Sequence, residues 1–164
     1  MISPERLRRY PYFAGVSESC LKSVAAISEE RSFKAGQKIF EESGELKASA
    51  HIYEKGEEAS HLMILTKGLV DIAFELTKDR KIVVGTLAAG DLMAISALVP
   101  PYHLTASGIA KEDGSLIQIK APELRQLLEE NPDLGYRLLK GVSQALLTRL
   151  NQTRIELAGQ TPIS

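Results

Sequence analysis

The spacing of apolar positions changes character three times along the chain. Near the N-terminus the apolar residues are few and fall at helical intervals. Ser3-Pro4-Glu5 is a helix start with proline at the first helical position, Leu7 and Tyr10 share one face, and Pro11 ends the segment. Ser17 opens a second helix that carries Leu21, Val24 and Ala25 on one side. These two helices hold too few apolar residues to make a core of their own, so they must pack on something larger.

From Arg31 the pattern becomes one of short strands ended by glycine or charged turns. Arg31–Phe33 and Lys38–Glu41 flank the turn Lys34-Ala35-Gly36-Gln37. His61–Lys67 and Leu69–Leu76 flank Gly68, and the polar turn Thr77-Lys78-Asp79-Arg80 leads to Lys81–Leu87. Thr105–Ala110 and Ser115–Lys120 flank Glu112-Asp113-Gly114. Many short strands at close spacing predict a sandwich or barrel rather than a parallel sheet. A short near-repeat, Lys38–Glu45 against His51–Glu58, predicts an insertion at 43–50 that lengthens one hairpin.

Helical spacing returns after Lys120. Pro122 and Glu123 open a helix bearing Leu124, Leu127 and Leu128, and Asn131-Pro132-Asp133 stops it and caps the next. The last helix is expected from Pro132 to about Leu157. Its stripe of Leu139, Val142, Leu146, Leu150, Thr153 and Leu157 steps by three or four residues, with Arg149 and Arg154 alongside. A stripe of this length exceeds what a small barrel covers, so a second copy of the same helix is the expected partner.

The 164 residues suit one domain, expected as helices over 3–30, a barrel over 31–120, helices over 121–157 and a tail over 158–164. A net charge of −1 gives no general attraction to nucleic acid. Lone Cys20 forms no internal disulfide and fits a small apolar helix position, which points to a reducing, cytoplasmic setting. No apolar run approaches the roughly 20 residues of a membrane helix.

The stretch from Gly90 to Ser107 organises the rest. It begins with a Gly-Asp turn, passes through a short apolar segment, breaks at Pro100-Pro101 and re-enters a strand. In a barrel this is where a short helix interrupts the wall, with its N-terminus available to an anion. Other chemistry fails on spacing. Gly85–Gly90 has P-loop glycine spacing, but Asp91-Leu92 stand where Lys and Ser/Thr are needed. His51, His61 and His103 contain no His-x-His pair for a metal, and no nucleophile turn is present, so an enzyme is not expected.

The order of elements and several segments resemble the cyclic nucleotide-binding domain family, the sensor module of catabolite-activator-type regulators, kinases and channels. The resemblance rests on Tyr12–Ser17, Phe33–Phe40, Ile52–Val70 and Gly85–Leu92 and covers roughly residues 10–157. It implies a mainly β fold with flanking helices: a double-stranded β-helix or jelly-roll barrel with N-terminal helices, a short cassette helix and a long C-terminal helix. It also implies a phosphate-binding cassette, with ligand contacts from Gly90, Asp91, Ala94, Ile95, Ser96, Ala97, Leu98, His103, Leu104, Thr105, Ala106 and Ser107.

The family pattern is a Gly-Glu pair, a small residue and Leu, then an Arg two residues before an Ala-Thr/Ser pair. Ala97-Leu98 and Ala106-Ser107 fit. Ala94-Ile95 occupy the Gly-Glu place and Leu104 the Arg place, with His103 beside it. Neither Ile95 nor Leu104 can hydrogen-bond a sugar or phosphate through its side chain. Losing two charge-assisted contacts of about 1.5–3 kcal/mol each removes several orders of magnitude of affinity. The expectation is a regulatory domain that does not hold cyclic AMP or cyclic GMP in the usual way. Its ligand is a cyclic nucleotide or another small molecule, and it signals through the long helix to a second copy or a protein partner. The alternative is a dimerisation module with a vestigial pocket. Gly159, Pro162 and Ser164 read as a tail, so a DNA-reading helix-turn-helix is not expected.

Overall fold

The computed structural model describes residues 1–40, 58–77 and 79–160. The proposed insertion at 43–50, the part of the near-repeat within 41–57, His51 and the last four residues lie outside the described residues. Helices α1 (Pro4–Arg8) and α2 (Glu18–Ala26) come first. Strands β1 (Ser28–Phe33), β2 (Lys38–Phe40), β3 (His61–Lys67), β4 (Val70–Thr77), β5 (Arg80–Leu87) and β6 (Leu92–Met93) follow. A single 3-10 turn over Ile95–Leu98 separates β6 from β7 (Ser107–Ala110) and β8 (Gly114–Lys120), and α3 (Ala121–Glu130) and α4 (Pro132–Gln160) end the chain.

The described strands form two four-stranded sheets, β1-β8-β3-β6 and β2-β7-β4-β5, and every pairing among them is antiparallel. Their inner faces meet in one buried cluster. Phe33, Met63, Leu65, Met93 and Leu116 of the first sheet pack on Ile39, Val70, Ile72, Leu87 and Ala110 of the second. The first sheet is buried on its outer face too. Leu62, Ile64, Ile117 and Ile119 face outward from it and pack against Leu7, Phe13, Leu21, Val24, Leu124, Leu134 and Leu138 of the helical layer. Burial on both faces explains the unbroken apolar run Leu62–Leu65, which a half-buried strand would alternate. It also gives the sparse N-terminal helices the larger surface they need. Each fully buried Leu or Phe there stabilises by about 1.5–3 kcal/mol relative to exposure.

Several bounds differ from expectation. The helical lead-in ends at Ala26 rather than residue 30, because Ser28, Glu29 and Glu30 already pair with Ile119, Gln118 and Ile117. Ser17 caps α2 by accepting from the backbone N–H of Cys20, and Cys20 is buried as a small apolar residue. Thr105 and Ala106 precede β7 instead of belonging to it. The last helix extends past Leu157 to Gln160, so residues 158–160 are not tail.

The largest correction concerns the stripe on α4. Val142 is 2% exposed and packs with Leu134 and Leu138 into the helical layer, so it is not on the outward face. Leu139, Leu146 and Leu150 are 47–49% exposed, and Thr153 is exposed as well.

Candidate functional site

The approach to the cassette is a tight turn. Gly90 has φ +97°, which glycine adopts without strain, and its N–H donates to the Leu65 carbonyl at 2.7 Å. Asp91 closes the turn by accepting from the Ala88 N–H at 2.8 Å. The Tyr12 hydroxyl donates to the Gly90 carbonyl at 2.9 Å, which ties the N-terminal segment to the turn. Burial, and next the negative charge of Asp91, push the Tyr12 phenol above its usual range.

Two paired residues of β6 lead to Ala94, which lies in the left-handed region at φ +54°. The expected cassette helix is one 3-10 turn of four residues, with no side chain capping it. It therefore lacks the aligned dipoles of a regular helix N-terminus. Ile95, Ala97 and Leu98 are buried beneath it. A cis Pro100-Pro101 bond and Tyr102 at φ +64° follow. The Tyr102 ring lies under the Arg125 guanidinium, 3.9 Å from ring centroid to Cζ. Arg125, from α3, also donates to the Ala97 carbonyl at 2.9 Å and pairs with Glu58 at 3.2 Å. One side chain thus contacts the cassette on both sides of the Pro100-Pro101 break.

The cassette borders a half-open cavity of about 380 Å³. Ala94, Ile95, Ser96, His103, Leu104, Thr105 and Ala106 line it, together with Val99, Pro100 and Pro101. The opposite wall is Ile72 and Val84 from the second sheet and Leu146 and Arg149 from α4. The remaining expected contacts do not reach it. Gly90 and Asp91 stay in the turn, Ala97 and Leu98 pack into the core, and Ser107 is buried in β7. Leu104 is partly buried and touches both core clusters. Among the described residues, no group of three His, Cys, Asp or Glu side chains is placed to hold a metal ion. No described helix is long and apolar enough to cross a membrane.

Sequence reasoning missed the part played by Arg149. It donates from Nη2 to the Leu92 carbonyl at 2.7 Å, and its Nε is buried with no hydrogen bond among the described residues. Burial holds its guanidinium below the usual range, opposed by the charge of Asp91, and it remains a cation near neutrality. Arg149 also borders a second, more polar hollow of about 230 Å³ with Tyr12, Thr86, Asp91, Gln144, Thr148 and Gln152. Arg149 is seven residues after Val142 and so shares the inward face that the structure gives Val142.

A family model for the cyclic nucleotide-binding domain matches residues 43–131. A protein from Geobacter metallireducens, named as a cyclic nucleotide-binding protein, is 35% identical in sequence. Its crystal structure aligns with a TM-score of 0.72 over 92% of this chain and 99% of that one. A cyclic nucleotide-binding domain from Methylobacillus flagellatus is 16% identical, with a TM-score of 0.70 over 98% of this chain and 83% of that one. The sensor domain of a transcriptional regulator from Pseudomonas aeruginosa is 18% identical, with a TM-score of 0.67 over 88% and 93%. The last two comparisons establish the fold alone. No curated protein matches at a significant level. The sequence match and the two-sheet fold with its long final helix lead to one conclusion: the chain belongs to the cyclic nucleotide-binding domain family.

Proposed function

We propose that this is a non-catalytic sensor domain whose cassette cavity takes a small ligand without the usual cyclic-nucleotide contacts and relays occupancy to α4. The observation that carries this reading is the makeup of the cavity wall. One side is the cassette, with Ile95 and Leu104 where a sugar and a phosphate would be held, and the other side is α4 itself, through Leu146 and Arg149. A ligand there touches the output helix directly. A hollow of about 380 Å³ also favours sensing over a vestigial pocket packed with its own side chains.

The output is a contact between two copies of α4. Leu139, Leu146, Leu150 and Leu157 recur at steps of seven, four and seven residues and are roughly half to two-thirds exposed. That is the spacing of a coiled-coil seam, and a second copy offers the same seam in register. Leu146 belongs to both surfaces, so ligand and partner helix share a side chain.

Calorimetry with cyclic AMP and cyclic GMP tests the ligand part. The expected affinity is no better than about 100 μM, set by the two missing charged contacts. Micromolar binding that depends on His103, lost in His103→Ala, would overturn it. Native mass spectrometry of protein purified from cells tests sensing itself, which fails if no small molecule is retained and added small molecules leave the amide exchange of α4 unchanged.

A further inference from the structure

We infer that Arg149 is the charged contact of the cavity, and that the site accepts a singly charged organic anion with an apolar body, such as a medium-length carboxylate. This rests on the cassette cavity being a ligand site, as proposed above. Among the described lining residues Arg149 is the one permanent charge, and Ile72, Val84, Ile95, Leu104 and Leu146 make the surrounding wall apolar. Its Nη2 is engaged by the Leu92 carbonyl, which holds the guanidinium between α4 and β6 at the edge of the cavity. Its Nε is buried without a hydrogen bond among the described residues, so the guanidinium's hydrogen-bonding capacity is not fully used beside the cavity. A guanidinium at the edge of an otherwise apolar wall favours a charged acceptor beyond what Asp91 on its other side supplies, and guanidinium–carboxylate pairing is the strong form of that bond.

The same wall selects the rest of the ligand. A ribose would bring hydroxyl groups against Ile95 and Leu104, where those side chains offer no partner and burial of the hydroxyls is unfavourable. An alkyl or aryl body meets no such cost. The charge therefore enters from the long helix instead of the cassette, and the anion contacts the residue that fastens that helix to β6.

Octanoate and octan-1-ol, equal in chain length and differing in charge, are the probes. Titration calorimetry of the full chain is expected to give octanoate at least about tenfold tighter than octan-1-ol, an advantage that shrinks as salt is added. Arg149→Met is expected to weaken octanoate at least about tenfold and leave octan-1-ol unchanged, with Arg149→Lys intermediate. Should Arg149→Met fail to fold, Arg149→Lys and the salt dependence decide the question. Equal binding of the two probes, or octanoate binding unaffected by the Arg149 variants, overturns the inference while leaving the cavity a ligand site. Binding of neither probe at millimolar concentration overturns both the inference and the proposed function.

Discussion

Arg149 and Leu92, 57 residues apart, are joined by a 2.7 Å hydrogen bond from guanidinium Nη2 to backbone carbonyl. The bond links the distal half of α4 to the two-residue strand that feeds the cassette. Hydrogen bonds from a charged donor contribute about 1.5–3 kcal/mol, yet burying the charge offsets part of that. Arg149→Ala is expected to lower stability by about 2 kcal/mol, and Arg149→Met by less, because its chain keeps the packing of the stem. Urea unfolding of the two variants checks the order; equal losses would mean the charge contributes all of the effect.

Restoring charge to the cassette should succeed at one position and fail at the other. Leu104 is partly buried and borders the cavity, so Leu104→Arg is expected to raise cyclic AMP affinity by about tenfold or more in calorimetry. Ile95 is 6% exposed and packs in the helical-layer core, so Ile95→Glu is expected to cost about 3 kcal/mol or more of stability.

Gly141 lies where α4 crosses the N-terminal segment. A Cβ built there comes within 2.6 Å of the Tyr12 ring. Alanine in place of glycine within a helix ordinarily gains about 1 kcal/mol, but displacing the ring costs about 1–3 kcal/mol and strains the bond from Tyr12 to Gly90. Gly141→Ala is therefore expected to be net destabilising in urea, and recovery of stability in Gly141→Ala/Tyr12→Leu would identify the ring as the cause.

The two faces of α4 should respond differently to substitution. Val142→Ala is expected to cost about 2 kcal/mol of stability, because the side chain is buried. Leu146→Gln with Leu150→Gln is expected to change stability little and to shift sedimentation equilibrium toward the monomer mass. A wild-type chain that is already monomeric at high concentration would remove the coiled-coil seam from the proposed function.

Burial lowers the pKa of His61 below its ordinary 6.5, with Lys120 and Arg31 acting in the same direction and Glu29 and Glu123 opposing. The folded chain resists a proton that the unfolded chain accepts. The stabilising contribution is complete above the unfolded pKa of about 6.5 and is lost as pH falls through the lower folded value. The drop in urea midpoint between about pH 7.5 and about pH 5 is expected to be smaller in His61→Gln than in the wild type.

Local chemistry made most of the sheet framework legible. The bounds of β3 matched residue for residue, because an apolar run between charged ends needs no tertiary information. The expected glycine and charged turns fall between the right strands. Val142 was misplaced because helical spacing alone cannot separate two faces that are both rich in leucine and valine. Arg125 and Arg149 were not legible as parts of the site, because their acceptors are the backbone carbonyls of Ala97 and Leu92, which carry no residue-type signal. The loss of charge at positions 95 and 104 was visible at once, while its counterpart on α4 required the helix to be laid against the cavity.

The burial along α4 is uneven: Leu134, Leu138 and Val142 sink into the core, and beyond Val142 no described side chain of the helix is fully buried. The helix is thus two pieces with different allegiances, a rooted stem and a loosely held arm. The arm supplies no strand to either sheet, so its displacement would break the Arg149–Leu92 bond but no ladder of sheet bonds. Under the proposed function, a ligand in the hollow beneath would reach the tip by moving this arm alone, without disturbing the rooted stem.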